Sequence, residues 1–234
     1  MRMRPPADET YILQRIAEGE HVRQDFKFAI SDARKIAKSL SAFANTGGGR
    51  LLVGVKDNGQ IAGVRSEEEI YMVEAAATVY CRPSLQLTHT IHKVKGKDVL
   101  EVCIPESVQK PVRAVDEDGK AWAYVRICDE NILATAIHLH IWRHNRQDTE
   151  VMMTYTEEER RLLSLLGEHG RLTLNQCGRL TGMNRRVLCK LLADFIRFGL
   201  VGQEFADHRF YFQLSHTEQL NDYGTDQPIH RHRE

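Results

Sequence analysis

Alternation of period two and stripes of period 3.6 divide this chain into short strands and amphipathic helices that change over at glycine-rich turns. Ile12 and Ile16, one helical turn apart behind Asp8 as cap, predict a helix over about 9–17 that Gly19 ends. From 22 to 28 the pattern alternates, with Val22, Gln24, Phe26 and Phe28 on one face and Arg23, Asp25 and Lys27 on the other, which reads as a strand. Ser31 or Asp32 caps a second helix that carries an apolar stripe (Ile36, Leu40, Phe43, Ala44) and a basic one (Arg34, Lys35, Lys38). Beyond Asn45-Thr46-Gly47-Gly48-Gly49, the apolar run 51–55 and the segment 60–64 flank Asp57-Asn58-Gly59, and a buried hairpin is expected. Ser66 and the acidic Glu67, Glu68 and Glu69 open a helix toward Tyr80, with Pro83 as its stop. Two more hairpins follow, 85–94 with 99–104 and 112–115 with 121–127, and then a helix over 131–144.

The polar stretch 146–150 marks a change of texture. Thr156-Glu157-Glu158-Glu159 opens a helix with Leu162, Leu163, Leu165 and Leu166 inside, closed by Gly167 and Gly170. A second helix over 174–180, a turn at Thr181-Gly182-Met183, a third helix over 184–198 and a hairpin that turns at Asp207-His208 complete a winged helix-turn-helix pattern. The expected fold class is α+β: a mixed, largely antiparallel domain over 1–148, a small winged helix over 149–214, and a polar tail over 215–234.

Charge sharpens this picture. Thirty-two cationic residues balance 32 acidic ones, so no global field draws the protein to nucleic acid or lipid. The third helix of the second domain nevertheless gathers Arg185, Arg186, Lys190 and Arg197 against Asp194 alone. Its N-terminal arginines stand where a recognition helix meets base edges, and Arg209 and His208 occupy the hairpin tip. A helix with those cations suits phosphate contact; a winged helix used only for protein contact is the competing reading. A second basic stripe (Arg34, Lys35, Lys38, Arg50, with Arg113 and Arg126 as extensions) is expected beside the strand face in the first domain.

The longest apolar stretch, 132–142, is interrupted by His138 and His140 and is too short to span a membrane. Without a secretory signal, the expected compartment is the cytoplasm. Five cysteines with no CxxC favour small buried thiols over disulfides or a Cys-rich zinc site. His140 and His144 lie one turn apart without the glutamate of HExxH, which reads as a packed or solvated pair. Asp25 and Lys27, two apart on a strand, place a metal-binding carboxylate beside a phosphate-facing ammonium, and Glu20 adds a second ligand; an exposed salt-bridged face is the alternative. Asp57 has the simpler explanation of a tight turn. The glycine run lacks GxxxxGK[ST], so a nucleotide P-loop is disfavoured.

Three segments, 20–27 (Glu20 through Lys27), 42–49 (Ala-Phe-Ala-Asn-Thr-Gly-Gly-Gly) and 53–64, in this order and spacing, resemble the Schlafen AlbA-type domain. Lys110-Pro111, Tyr124-Val125-Arg126 and Asn131 match later parts of the pattern, so the resemblance covers about residues 8–145. It implies a nucleic-acid-binding front half, found in prokaryotic regulators that end in a winged helix. It also implies, by motif position, an acidic triad of Glu20, Asp25 and Asp57 that in Schlafen-type ribonucleases cuts tRNA with Mg²⁺ or Mn²⁺, here with Lys27 at the phosphate. The family's usual glutamate is Asp25 here and its usual glycine is Cys128, departures that count against the nuclease. The expected activity is therefore DNA binding in transcription regulation, with RNA cleavage as the alternative and a protein-interaction module as a third. No cofactor is expected outside the nuclease reading, ATP least of all, and a homo-oligomer would suit paired half-sites.

Overall fold

The computed structural model describes residues 7–64, 66–145 and 156–215 of the 234. The chain divides into two units, 1–134 and 135–234. The first is a mixed α+β layer. Its elements are α1 (Ala7–Glu18), β1 (Gln24–Lys27), α2 (Ala33–Asn45), β2 (Gly49–Val53), α3 (Glu68–Thr78), β3 (Cys81–Arg82), β4 (Thr88–Val94), β5 (Lys97–Ile104), β6 (Arg113–Val115), β7 (Ala121–Ile127) and β8 (Glu130–Leu133). One sheet runs β1-β2-β5-β4, with β1 parallel to β2 and the other pairs antiparallel; the other runs β3-β6-β7-β8 and is antiparallel throughout.

Helix α2 packs against strands of both sheets. Its cap is Asp32, whose side chain accepts from the Arg34 N–H. From Ile36 on it is buried on almost every side, and the small residues Ala37, Ser39, Ser41, Ala42 and Ala44 let both sheets approach it closely. This corrects the expectation of one apolar stripe: only the first turns keep a solvent face. The main core joins Ile36, Leu40 and Phe43 of α2 to Leu51, Val53, Leu100 and Val102. A second core forms on the opposite face of the first sheet, where α1 lays Ile12 against Phe26, Leu52, Val94 and Val99.

Two local expectations fail. Residues 54–64 form no hairpin strand with β2, only a single bridge between Val55 and Ile61, because both edges of β2 are taken by β1 and β5. The expected helix over 131–144 is a strand at its start, since Glu130–Leu133 pairs with β7 across the turn at Cys128 and Asp129.

The second unit consists of α4 (Ala136–Asn145), α5 (Glu157–His169), β9 (Arg171–Thr173), α6 (Leu174–Thr181), α7 (Arg185–Arg197), β10 (Val201–Ala206) and β11 (Arg209–Leu214), with a sheet ordered β10-β11-β9. Capping boxes at Thr156/Glu159 and Thr173/Gln176 start α5 and α6, and Asn184 caps α7. Its core holds Leu162, Leu166, Leu188, Leu192, Phe195 and Phe212 together with Ile137 of α4. The division at Ala134/Thr135 therefore precedes the expected boundary at 148: α4 packs on α7 and its Ile137 is 1% exposed in this core. The expected linker 146–150 and the tail from 216 lie outside the described residues. No helix among the described residues is long and apolar enough to cross a membrane.

Candidate nucleic-acid interface

The acidic residues of the first unit meet only in part. Asp25 is buried on β1, its Oδ2 2.8 Å from Lys27 Nζ and its Oδ1 3.3 Å from an Arg126 nitrogen on β7. Glu20 Oε1 accepts the Phe26 N–H at 2.9 Å and closes an open backbone donor on this edge strand. The two carboxyl groups lie close enough to shift each other's titration. Burial and the neighbouring Asp25 carboxyl push the Glu20 carboxyl up; burial also acts to raise Asp25, but Glu20 beside it and the charges of Lys27 and Arg126 outweigh it and hold Asp25 below the usual carboxylate range. Asp57 does not join them. It sits exposed in the turn that the Gly59 N–H closes onto the Lys56 carbonyl. Among the described residues no group of three or more His, Cys, Asp or Glu side chains is placed to hold a metal. The triad Glu20, Asp25, Asp57 thus does not converge as the ligands of a divalent ion must: Asp25 is paired with Lys27 and Arg126, Glu20 Oε1 is held by a backbone donor, and Asp57 is elsewhere.

Motif residues around α2 prove to be architecture. β6 pairs with β7 only as far as Ala123. Beyond it, α2 supplies the hydrogen bonds a neighbouring strand would: Ser41 Oγ accepts the Tyr124 N–H at 3.1 Å, Asn45 Nδ2 donates to the Tyr124 carbonyl at 2.9 Å, and Thr46 Oγ1 accepts the Arg126 N–H at 2.9 Å. Asn45 also pairs with both backbone groups of Val112, donating at 2.8 Å and accepting at 2.9 Å. Arg126 lies over the Phe43 ring and donates to Asn131 Oδ1 and to the Gln24 carbonyl. The glycine run is a packing device as well: a Cβ on Gly48 would stand 2.7 Å from the Ile104 carbonyl, at φ +77°, and one on Gly49 would stand 2.3 Å from the Phe43 ring.

The expected basic stripe of the first unit does not assemble. Arg34, Lys35 and Lys38 share the outer turns of α2, with the Arg34 guanidinium 4.8 Å over the Tyr80 ring. Arg50 projects with Leu52 from the opposite face of β2, where its guanidinium meets Tyr11 Oη and Glu101 at 3.0 and 3.4 Å. Arg126 is buried against Asp25, and Arg113 lies on β6.

In the second unit the cations are arranged differently. Leu188, Cys189, Leu192, Ala193 and Phe195 of α7 are buried, and Arg185, Arg186 and Lys190 are exposed. Arg185 donates to Asn175 Oδ1 of α6 at 3.0 Å. Arg197 leaves the set: it pairs with Asp194 one turn back at 3.6 Å and donates to Asn145 of α4 at 3.1 Å. His208 and Arg209 are exposed at the β10–β11 turn, whose Asp207 and His208 take φ of 50° and 56°. A groove of about 730 Å³ runs between the first turns of α4, α6 and α7 and strand β11. Arg179, Arg185, Arg209 and His208 line it and, among the described residues, no carboxylate does. Arg179 was not predicted; the signal available was its spacing of one helical turn from Asn175 on α6. His140 and His144 stack with centroids 6.5 Å apart, with no third metal ligand beside them among the described residues.

Residues 20–135 match the family model of the Schlafen AlbA_2 domain, which supports a Schlafen AlbA-type domain in the first unit. No match is found among functionally curated proteins. A crystal structure from Corynebacterium diphtheriae is similar with a TM-score of 0.44 at 14% identity over 79% of this chain, and this chain spans only 36% of that protein. The solution structure of the N-terminal domain of a Nitrosomonas europaea protein described as related to the ATP-dependent DNA helicase RecG gives a TM-score of 0.39 at 20% identity, covering 66% of this chain and 98% of that domain.

Proposed function

We infer that this chain, with an AlbA-type match over residues 20–135, is a nucleic-acid-binding protein, and that its second unit is a DNA-binding winged helix of the kind transcriptional regulators use. One observation carries the reading. On a chain of zero net charge, Arg185, Arg186, Lys190 and Arg209 all stand exposed on α7 and at the adjoining β-turn, with no ion pair to any of them among the described residues. Unpaired guanidinium and ammonium groups gathered in one place raise the local potential that a polyanion neutralises, whereas cations meant only for solubility are ordinarily interspersed with carboxylates.

In this reading α7 enters the major groove from its N-terminal end, Arg185 and Arg186 reach base edges or flanking phosphates, Lys190 lies one turn further along, and Arg209 contacts the backbone from the turn. The element order helix, strand, helix, helix, hairpin from α5 to β11 supports the winged-helix assignment. Regulation of transcription is the use this arrangement suits best, with the target read by a handful of side chains. The ribonuclease alternative draws no support from the carboxylates, since Asp25 is paired with Lys27 and Arg126 and Asp57 stands apart.

The test is binding of the whole chain to duplex DNA and to duplex RNA of the same sequence, by fluorescence anisotropy across a salt series. Arg185→Ala with Arg186→Ala should weaken DNA binding and make the log–log salt slope shallower by about one unit for each phosphate the variant no longer neutralises. Equal affinity and an equal slope in the double variant would overturn the assignment.

A further inference from the structure

The groove of the second unit has features that contact with a duplex backbone does not require. Its three arginines are free of carboxylates: neither Arg179, Arg185 nor Arg209 makes an ion pair among the described residues, whereas Arg160, Arg171 and Arg197 are paired with Glu157, Glu204 and Asp194 and lie outside the groove. The Asn175 carboxamide holds the Arg185 fork at 3.0 Å, so part of its ordering is complete before any ligand arrives. The first turns of α4, α6 and α7 all contribute lining residues. Three guanidinium charges with no internal counter-charge suit an anion of about two negative charges; a phosphomonoester carries that, and a carboxylate carries half of it.

The remainder of the wall is of another kind. Ile137, Leu174 and Phe210 give it an apolar side, and the groove's volume of about 730 Å³ lies in the range of small-molecule sites, about 300–1,000 Å³. A bare phosphate ion would leave that side wet. We propose that the groove binds an organic phosphomonoester of nucleotide size, with its phosphate on Arg179, Arg185 and Arg209 and its planar or apolar body against Leu174 and Phe210. The chemistry is shared by a free nucleotide and by the phosphorylated 5′ end of a nucleic-acid strand. The site stands independently of duplex recognition, although Arg185 and Arg209 serve both.

Isothermal titration of the full-length chain with thymidine 5′-monophosphate, thymidine, inorganic phosphate, and a short oligothymidylate with or without a 5′-phosphate tests it. Arg179 is exposed and makes no ion pair among the described residues, so Arg179→Ala should keep the wild-type melting temperature. The expected result is one site per chain that prefers the phosphorylated probes to thymidine and to the 5′-hydroxyl oligomer by about tenfold or more, and a loss of about tenfold in Arg179→Ala. Mononucleotide binding as tight as that of the phosphorylated oligomer identifies a free nucleotide as ligand; tighter binding of the oligomer identifies a strand end, and either supports the site. Absence of binding by both phosphorylated probes, or binding that Arg179→Ala and Arg209→Ala leave unchanged, overturns it. Duplex affinity measured on the same samples separates the two ideas: duplex binding without mononucleotide or strand-end binding removes this site and leaves the winged-helix reading standing.

Discussion

Replacing Asn45 by alanine tests the claim that α2 acts as a surrogate strand for β7. The Asn45 side chain is 4% exposed and makes three strong hydrogen bonds to backbone: to the Val112 and Tyr124 carbonyls at 2.8 and 2.9 Å, and from the Val112 N–H at 2.9 Å. In Asn45→Ala the Val112 carbonyl keeps the Ser41 hydroxyl at 2.9 Å, but the Val112 N–H and the Tyr124 carbonyl lose their side-chain partner. Two backbone groups left unsatisfied cost about 1–3 kcal/mol each, so the first unit should lose about 3 kcal/mol after relaxation. Asn45→Asp should be at least as damaging, because it turns a carboxylate oxygen toward two carbonyls that need a donor. The chain has two tryptophans, Trp122 on β7 and Trp142 on α4. Urea unfolding followed by Trp122 fluorescence in a Trp142→Phe background therefore reports the first unit. A loss below about 1 kcal/mol in Asn45→Ala, or an aspartate variant as stable as its parent, would refute the surrogate-strand account.

Three further outcomes follow from the same geometry. Asp25→Ala leaves the Arg126 guanidinium, 1% exposed, without its carboxylate and should destabilise the first unit by about 3–5 kcal/mol; an unmoved melting temperature would dismiss the buried pair. His138 is half-buried, with its Nδ1 accepting the Thr135 N–H, and desolvation holds its pKa at about 4 against 6.5. The unfolded chain then takes up a proton between pH 6.5 and 4 that the folded one refuses, so stability of the second unit falls with pH through that window, by about 3 kcal/mol at its lower end. A flat urea midpoint over that range, or the same dependence in His138→Phe, would contradict this. Gly49→Ala should lose about 1–3 kcal/mol because its Cβ meets Phe43 at 2.3 Å. Gly167→Ala, inside α5 with its nearest outside atom at 3.5 Å, should be neutral or stabilising by up to about 1 kcal/mol, and equal melting shifts for the two would count against the packing argument.

Local chemistry was legible where one short segment carried the whole signal. The start of α5 at Thr156 and the turn at Asp207-His208 both follow from neighbouring residues. What failed depends on partners distant in sequence. β2 takes β1 in parallel and β5 in antiparallel, which no pattern within residues 51–64 announces, and the expected hairpin reduces to one bridge. Asp25 alternates like an exposed strand residue, yet it is buried because Arg126, from a different sheet, reaches it. Arg50 looked like a neighbour of Lys35 and Lys38, but strand alternation sends it to the α1 face, where Glu101 pairs with it. In the second unit the burial of Leu188, Leu192 and Phe195 leaves Arg185, Arg186 and Lys190 of α7 exposed as expected, whereas Arg197 is engaged by Asp194 and Asn145. Arg179 escaped notice because a single cation on α6 has no local mark; only the fold brings it beside Arg185 and Arg209.

The central claim is that exposed, unpaired cations of the second unit lie against a phosphate backbone, and the salt dependence of duplex binding by the whole chain measures it most directly. If Arg185, Arg186, Lys190 and Arg209 each meet one phosphate, the plot of log K against log salt should have a slope of about −3.6, and replacing all four with glutamine should bring it close to flat. A wild-type slope near zero, or a steep slope that survives the fourfold replacement, would contradict the account.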